Sequence, residues 1–303
     1  MKMYRYIFLL SSMLLVACTQ DNDWLSENTE SAPQGMVYLN LQSAEISVDT
    51  RSMTPQDPMT DNPIYDLYLL HYSFEGQLIE QKNISFTQPE LSYAWNPTLT
   101  IDSKGRKETL CLIANMKDNY PTWPTRLADL KETCVDLQFG STGLIADKKM
   151  YMFGYYEGVI SSGQYINIML GRMATALKFV ITATNASSRN SYTINKIEIK
   201  KAPRQSYFYP HNSTDQNFGN NISESFSGNN IINNSTKELV FYYQIGENIS
   251  PSENNRTEIK INAKSNNGTK DYSVVLGCDA PGTVNRNYSL YRNNNYTFNI
   301  NLK

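Results

Sequence analysis

The sequence predicts an all-β protein built from two β-sandwich domains in tandem. Tyrosine is abundant, at 21 of 303 residues, and clusters of Asn, Ser and Thr are frequent, while long Leu-Ala-Glu-Lys blocks are scarce. Aromatic residues favour strands, and small polar residues favour the turns between them. Roughly twelve short apolar runs with turn signals at even spacing complete the pattern of a sandwich protein.

The first seventeen residues have the features of an export signal. Lys2 and Arg5 precede an apolar run from Ile7 to Ala17, and Cys18 follows directly. That run is about half of the roughly 20 residues that a spanning helix needs. A cysteine immediately after the cut matches the bacterial lipoprotein box, so we expect Cys18 to carry a lipid. An ordinary secretory signal that happens to be followed by a cysteine is the alternative.

Residues 18–35 are polar and contain Pro33 and Gly35, which predicts a tether between the lipid and the fold. Without residues 1–17 the chain keeps 25 basic residues, because Lys2 and Arg5 are lost from 27, against 29 acidic ones, a net charge of −4. No basic cluster stands out in the sequence. Nucleic acid is therefore not expected as a partner, since its binding requires clustered Lys and Arg.

Period-two alternation of apolar residues predicts the strands of the first domain, residues 36–170. The first strand places Val37, Leu39 and Leu41 on one face. Further strands are predicted at Ile64–Phe74, at Leu78-Ile79 after a turn at Glu75-Gly76, at Thr109–Ala114, at Met150–Phe153 and at Tyr165–Ile168. The one predicted helix is Thr125–Leu137, with Thr125 as its cap and Leu127, Leu130 and Cys134 at helical spacing.

The second domain is predicted to span residues 171–303, with the break near Gly171. Its strands are expected at Leu177–Ala183, Ile194–Ile199, Leu239–Tyr243, Ile259–Ala263, Tyr272–Leu276 and Tyr296–Leu302. Residues 211–236 are rich in Asn, Ser and Gly and are predicted to form one long loop. The final run places Tyr296, Phe298, Ile300 and Leu302 on one face.

Three cysteines besides Cys18 remain, and an odd number cannot form a complete disulfide framework. Cys111 lies within an apolar run, which predicts a buried thiol that packs as a small hydrophobic residue. A disulfide between Cys111 and Cys134 is the alternative. Cys278 has no predicted partner.

The sequence contains none of the motifs that would predict catalysis, a metal site or a cofactor. Of its two histidines, His71 alternates within an apolar strand and His211 lies in a polar loop. HExxH, CxxC, GxSxG and the phosphate-binding GxxxxGK[ST] are all absent. The scattered carboxylates leave a glycosidase pair open, because its partners can lie far apart in a chain. No enzyme activity is predicted.

Two groups of residues could bind a ligand or simply stabilise the fold. Tyr207-Phe208-Tyr209 with the tryptophans Trp24, Trp95 and Trp123 could form a platform for sugar rings, and packing in the core is the favoured reading. Arg172 and Arg292 lie near strand ends. For both we expect an ion pair or a contact with backbone rather than ligand binding.

Several fragments occur in the order typical of one known family. They are Asp49-Thr50-Arg51-Ser52, Leu67–Ile79, Leu112-Ile113-Ala114-Asn115, Met152-Phe153-Gly154, Leu170–Phe179 and Tyr288–Tyr296. In this order, and with the lipoprotein signal, the chain resembles the fimbrillin superfamily of the Bacteroidales, the subunits of type V pili. Within it, the chain is most similar to the fimbrial anchor and accessory subunits. The resemblance covers nearly the whole chain after the signal.

The resemblance implies two transthyretin-like β-sandwich domains, a lipid on Cys18 and, for stalk subunits, cleavage by an arginine-specific protease after the first strand. Arg51 occupies that position, and cleavage would leave Ser52 as the new N-terminus. Loss of Val37, Leu39 and Leu41 would open an apolar groove that a strand of another subunit could fill. A solvated loop arginine is the alternative for Arg51. The polar, acidic start at residues 19–23 resembles the signals that direct such lipoproteins to the outer cell surface.

We therefore expect a surface-exposed lipoprotein of the outer membrane that serves as a fimbrial anchor, accessory or tip subunit and supports adhesion. Its expected partners are other fimbrial subunits, the outer membrane and a receptor on a host or bacterial surface. Because the sequence ends at Lys303 directly after the last strand, that strand is expected to close the second domain rather than serve as a donor. The alternative is a glycan-binding outer-membrane lipoprotein of a polysaccharide-capture system.

Overall fold

The structure is a computed structural model that describes residues 36–43, 63–90, 92–101, 105–117, 122–137, 150–187, 189–209, 221–249, 251–279, 284 and 286–303. Cys18, the tether, Arg51 and Ser52 lie outside these residues. The regular secondary structure of the described residues is almost entirely strand, with one short α-helix in the first half, which confirms the predicted all-β class. None of their helices has the length and apolar character needed to cross a membrane.

The first half of the chain contributes eight strands and the helix. They are β1 (Tyr38–Ser43), β2 (Ile64–Tyr72), β3 (Leu78–Glu90), β4 (Ser92–Trp95), β5 (Lys107–Ala114), α1 (Leu127–Lys131), β6 (Cys134–Asp136), β7 (Met152–Val159) and β8 (Tyr165–Arg172). Seven of the strands form one sheet in the order β3-β2-β5-β7-β8-β1-β4. The eighth, β6, pairs with a strand from the second half.

The seven-stranded sheet folds over on itself at the junction of β7 and β8. Only two residue pairs join these strands, Met152 with Arg172 and Phe153 with Gly171. Apolar side chains from both sides of this junction, such as Leu69 of β2 and Ile168 of β8, are buried in the same cluster. We call this cluster the first core. The two sides of the sheet therefore cover one core between them, as the sheets of a sandwich do.

The second half contributes nine further strands and one 3₁₀ turn, η (Glu253–Asn255). The strands are β9 (Ala174–Ala183), β10 (Tyr192–Lys200), β11 (Gln205–Tyr207), β12 (Ile222–Ser225), β13 (Ile231–Ile232), β14 (Glu238–Gly246), β15 (Glu258–Ser265), β16 (Gly268–Val275) and β17 (Asn295–Leu302). One sheet has the order β14-β9-β17, and the other has the order β12-β10-β15-β16 with β13 also paired to β10. Their apolar faces meet in a second core that contains Phe179, Ile197 and Ile261.

One segment of the second half packs in the first core. β11 pairs antiparallel with β6, and Phe208, which follows β11, is fully buried among residues of the first half. Its ring lies 5.8 Å from that of Trp123 and 5.4 Å from that of Phe153, measured between centroids. Residues 205–209 therefore connect the two halves by both backbone pairing and side-chain packing.

Two predictions of local structure are wrong. The helix spans only Leu127–Lys131 instead of Thr125–Leu137, because residues 134–136 pair as a strand with β11. Thr125 does not cap it: Arg126 is the N-cap residue, with no side-chain cap, and the carbonyl of Thr125 accepts a hydrogen bond from Leu78. Residues 211–236 are not one continuous loop, because β12 and β13 both pair with β10.

The first and last strands around each core pair in parallel. β1 lies beside β8 around the first core, and β9 lies beside β17 around the second. Each first strand also pairs antiparallel on its other side, β1 with β4 and β9 with β14. This arrangement repeats although no repeat is visible in the sequence.

Candidate functional site at the first strand

β1 lies inside the first sheet and not at its edge. Six residue pairs join it in parallel to β8, and four join it antiparallel to the edge strand β4. Only the short strand β4, with four residues, separates β1 from the edge of the sheet. Removing β1 would expose the hydrogen-bonding groups of β8, and an unpaired strand edge readily accepts another strand.

The inner face of the first strand is completely buried. Val37 and Leu39 are 0% exposed and Leu41 is 1% exposed, which confirms that the three side chains share one face. Burial of such a side chain stabilises a fold by about 1.5–3 kcal/mol. The three together are worth roughly 5–9 kcal/mol, which is comparable to the ~5–15 kcal/mol net stability of a whole domain. The first core is therefore incomplete without this strand.

On the outer face of the sheet, side chains of β1 contact side chains of the same type on β8. The rings of Tyr38 and Tyr165 stack at 4.5 Å with an interplanar angle of 12°. Next to them, Asn40 donates a side-chain hydrogen bond of 3.0 Å to Asn167. The signal for this pairing was present in the sequence, since residues 38–41 and 165–168 both have the pattern Tyr-aliphatic-Asn-aliphatic. Sequence reasoning missed it because the two segments lie more than a hundred residues apart.

Backbone contacts fix where the first strand begins. The amide of Tyr38 donates to the carbonyl of Gln164 at 2.9 Å, and the amide of Val37 donates to that of Pro97 at 3.3 Å. Met36 forms an isolated antiparallel bridge with Thr98. The strand is thus held on both sides at its start as well as along its length.

Side chains connect the two edge strands of the first sheet next to this site. Glu80 of β3 accepts hydrogen bonds at Oε1 from the hydroxyl of Thr100 at 2.6 Å and from its amide at 3.0 Å. Lys82 lies 3.2 Å from Glu80 and donates to the carbonyl of Thr98. We call Glu80, Lys82, Thr98 and Thr100 the edge contact. It closes the sheet around the first core, because β3 is one edge and residues 98–100 follow the other.

Burial alone would raise the pKa of Glu80, but its hydrogen bonds outweigh burial. The hydroxyl of Thr100, the ammonium group of Lys82 and the amide of Thr100 all favour the ionised carboxylate, so the pKa lies below its usual value of 4.5. Nδ1 of His71, a fully buried side chain, lies 3.9 Å from the same carboxylate. The Nε2 atom of His71 is 2.8 Å from the buried Glu108.

The other predicted site residues fall in two groups. Cys18, Arg51 and Ser52 lie outside the described residues, so lipid attachment and processing stay predictions. The final run is β17, an edge strand whose Ile300 and Leu302 are buried in the second core.

Of the two arginines that the sequence singled out, Arg292 makes the expected backbone contacts, and Arg172 contacts a side-chain amide instead. Arg172 is 1% exposed and donates from Nη2 to the Asn295 side chain at 2.9 Å. Arg292 donates to the backbone carbonyls of Tyr207 and Phe208 and lies 4.0 Å from Glu247. Burial lowers the pKa of Arg292 and raises that of Glu247. Arg292 therefore secures the segment that packs in the first core.

Of the aromatic residues considered for a sugar platform, four lie in or against the first core, namely Trp95, Trp123, Phe208 and Tyr209, and Trp24 lies outside the described residues. Phe208 is 0% exposed and Trp123 is 6% exposed, so neither presents a ring face to solvent. Tyr209 packs edge-on against Phe153 at 5.1 Å, and its hydroxyl is 3.3 Å from the Cys111 sulfur. Cys111 is buried, as predicted, and burial raises the pKa of its thiol to about 12. Cys111, Cys134 and Cys278 are all free thiols.

Within the described part of the chain, no three His, Cys, Asp or Glu side chains are grouped so that they could hold a metal ion. If β1 were removed, this site would present unpaired backbone groups along β8 and an apolar slot beneath them, so its chemistry is that of strand pairing. It can bind an extended segment with alternating apolar residues.

The fold and this slot define a two-core β protein whose first strand completes the first core. Comparison with solved structures shows the same fold in fimbrial and adhesion proteins of the Bacteroidales. A candidate cell adhesion protein of Parabacteroides distasonis has a TM-score of 0.64 at 16% identity, covering 89% of this chain and 88% of that one. The tip fimbrial protein Mfa3 of Porphyromonas gingivalis has a TM-score of 0.62 at 13% identity, covering 88% and 94%.

A fimbrilin of Porphyromonas gingivalis has a TM-score of 0.57 at 15% identity and covers 89% of this chain and 90% of that one. No protein-family model matches the sequence, and no curated protein sequence does so either. At these identities the similarity establishes the fold, which is that of the fimbrillin-type proteins.

Proposed function

We propose that this chain is a surface-exposed fimbrial subunit, in an anchor, accessory or tip role, that assembles by β-strand complementation and supports adhesion. The observation that carries the proposal is the position of β1. Three fully buried side chains connect it to the first core, and it lies between β8 and the four-residue β4. A subunit that lost this strand would need a replacement strand, and a neighbouring subunit can supply one.

The fold of the compared structures supports the same assignment, since they include a tip fimbrial protein and a fimbrilin. In an anchor, Cys18 keeps a lipid that attaches the protein to the outer membrane, whereas in a polymerising subunit cleavage at Arg51-Ser52 would remove that lipid together with β1. Arg51 lies between β1 and β2 in the sequence, so cleavage there would separate β1 covalently from the rest of the sheet. We propose no catalytic activity.

The two cores support a division into two domains, residues 36–170 and 171–303, with the break near Gly171, at the end of β8. The buried apolar side chains of β1 to β8 lie in the first core together with Ala174 at the start of β9, and those from Leu177 of β9 onward and of β17 lie in the second. The parallel pairing of first and last strands around each core is consistent with two copies of one sandwich plan. Residues 205–209 would then be an arm of the second domain that packs on the first.

The mass and N-terminal sequence of the protein from native cell envelope test this proposal. An acylated N-terminal Cys18 is the expected result for an anchor that keeps its first strand. A start at Ser52 without acyl mass would make the protein a processed, polymerising subunit and would contradict the anchor role. Lipidation and processing are thus read from one spectrum.

Strand complementation has its own test. Subunits joined by exchanged strands form oligomers that resist SDS at room temperature and dissociate on boiling, because each subunit completes the core of the next. We expect such oligomers in purified fimbriae that contain this protein. An acylated monomer that is absent from purified fimbriae would contradict the proposal.

A further inference from the structure

A cleft of about 630 Å³ lies on the first half of the molecule, away from β1 and the slot described above. Three elements form it: the β2–β3 turn at residues 73–76, the start of β5, and helix α1. Backbone hydrogen bonds hold the turn against the helix, from Leu127 to the carbonyl of Gly76 and from Leu78 to that of Thr125, both at 2.8 Å. The walls of the cleft are therefore fixed by the fold.

Four basic side chains line the cleft: Arg106, Lys107, Arg126 and Lys131. Within the described residues, neither Lys107 nor Arg126 forms an ion pair, and both are exposed. The protein as a whole has a formal net charge of −2. A concave basic surface on an acidic protein attracts anions selectively, because the rest of the surface repels them.

An exposed aromatic ring lies beside these charges. Phe74 is 43% exposed, and the guanidinium carbon of Arg106 lies 3.3 Å from the centre of its ring. This stacking holds the guanidinium plane in place, and a fixed guanidinium binds carboxylate or sulfate groups through two parallel hydrogen bonds. The exposed part of the ring offers an apolar surface to the C–H face of a sugar.

Two carboxylates, Glu75 and Glu157, also line the cleft and are exposed. They can accept hydrogen bonds from the hydroxyl groups of a sugar, which a simple phosphate ion does not offer. The cleft thus combines groups for an anion, for hydroxyls and for an apolar ring face. An acidic sugar carries all three of these features.

We propose that this cleft binds an acidic glycan, an oligosaccharide whose sugars bear carboxylate or sulfate groups. Arg106, Lys107, Arg126 and Lys131 bind the acidic groups, and Phe74 contacts a sugar ring. The site is independent of strand exchange, because none of its residues belongs to β1, β4 or β8. Failure of either proposal therefore leaves the other untouched.

The test uses the full chain in a neutral detergent, with binding measured by calorimetry at about 0.15 M ionic strength. The probes in detergent are a heparin oligosaccharide, an oligogalacturonate, neutral dextran and polyphosphate. Phosphatidylglycerol vesicles are tested separately after the detergent has been removed, because detergent would dissolve them. We expect saturable binding of at least one of the two acidic oligosaccharides, with no binding of dextran. The double variant K107Q/R126Q should weaken that binding about tenfold or more, since two charge-assisted contacts are lost.

The matched control is K237Q/K264Q, which removes two exposed lysines outside the cleft and should change affinity by less than about twofold. Phe74→Ala should weaken binding of the oligosaccharide but not of polyphosphate. Thermal melting verifies that each variant is folded, and the single variant R126Q replaces the double one if the latter is not.

Three results would overturn the proposal. One is the absence of binding to both acidic oligosaccharides. Another is an equal loss of affinity in the cleft and control variants, which would indicate general charge attraction. The third is binding to polyphosphate or vesicles at least as tight as to the sugars and unchanged in Phe74→Ala, which would indicate a surface for phosphate groups or membranes.

Discussion

Gly154 is the residue that lets β7 approach β8 where the first sheet folds over. A Cβ atom at this position would overlap the carbonyl oxygen of Met169 and lie 2.9 Å from Cγ2 of Ile168. One obstacle is backbone, so it cannot move aside without changing the strand. The glycine is required by close packing and not by an unusual φ angle.

We therefore expect Gly154→Ala to lower the free energy of unfolding by about 1–3 kcal/mol, as overpacking in a core does. The measurement is urea unfolding followed by tryptophan fluorescence. Gly171→Ala is the matched control, because its Cβ would meet nothing closer than 3.6 Å. Equal stability of the two variants would show that the β7–β8 junction has room to spare.

Glu80 gives the edge contact a pH dependence. Because its pKa is lower in the folded protein than the usual 4.5, its ionised form stabilises the fold. That stabilisation is fully present above about pH 4.5. It is lost as the pH falls through the lowered pKa of the folded state. Lys82, which helps to lower this pKa, and the buried His71 both face the same carboxylate.

The variant E80Q should be less stable than the wild type at pH 7, and the difference should shrink in acid below pH 4.5. Thermal melting between about pH 3 and pH 7, a range that includes the usual pKa of a carboxyl group, measures this difference. E238Q, at an exposed strand end, serves as the control and should show none of it. A stability difference for E80Q that grows in acid would refute the proposed sign.

Single residues were predictable where the pattern around them is local. The alternation of Val37, Leu39 and Leu41 predicts a common buried face, and the apolar run around Cys111 predicts a buried thiol; both are confirmed. The contact of Glu80 with Thr100 and that of Arg292 with Phe208 were not predictable. Each joins segments far apart in sequence, and no local periodicity records such a partner.

At the scale of elements, β1 is packed tightly into the first core, but on one side it pairs with only the four residues of β4. Leu39 lies on its buried face and Asn40 on its outer face, where it bonds to Asn167. Substitutions at these neighbouring positions therefore measure separately how much each face of the strand contributes to stability.

We expect Leu39→Ala to lower the free energy of unfolding by about 2–5 kcal/mol, through lost burial and the cavity left behind. Asn40→Ala removes one partly exposed hydrogen bond and should cost about 1 kcal/mol or less. Urea midpoints of the full chain measure both. If the two variants were equally stable, the first strand would not be part of the cooperative core.

Exchange of β1 can be followed with the same variant. A synthetic peptide of residues 36–43 with the native sequence should enter Leu39→Ala faster than it enters the wild type, because the resident strand is held less tightly. Native mass spectrometry measures the peptide-bound fraction with time. No uptake by either protein would mean that the resident strand is not displaced in this way.

Elements with period-two alternation were predictable, and elements formed only by tertiary pairing were not. β2, β10 and β17 lie where alternating apolar residues predict them. β6 was predicted as part of a helix, since its residues have moderate helical spacing, and pairing with β11 overrides that local preference. β12 and β13 were missed for the same reason, because both are short, lie in a segment rich in Asn and Ser, and form strands only beside β10.

For the whole molecule, the central question is how strongly the two cores are coupled. The chain passes directly from β8 to β9, and residues 205–209 return to the first core. Phe208 fills a space between Trp123 and Phe153, and Arg292 holds its carbonyl at 2.7 Å. The first core is therefore completed by a residue of the second half, as well as by β1.

This arrangement predicts one cooperative unfolding transition for the wild type and weaker coupling in Phe208→Ala. Loss of a buried phenylalanine costs about 3–5 kcal/mol, and here the loss falls on the first core alone. We expect calorimetry of the full chain to show one transition in the wild type and two in the variant, with the lower one from the first core.

Phe298→Ala, at a residue packed against the second core, is the control and should destabilise that core instead. Fluorescence of Trp123 assigns the transitions, because this residue lies only in the first core. If Phe208→Ala melts in a single transition at the wild-type temperature, then the Phe208 side chain contributes neither to the stability of the first core nor to the coupling of the two halves.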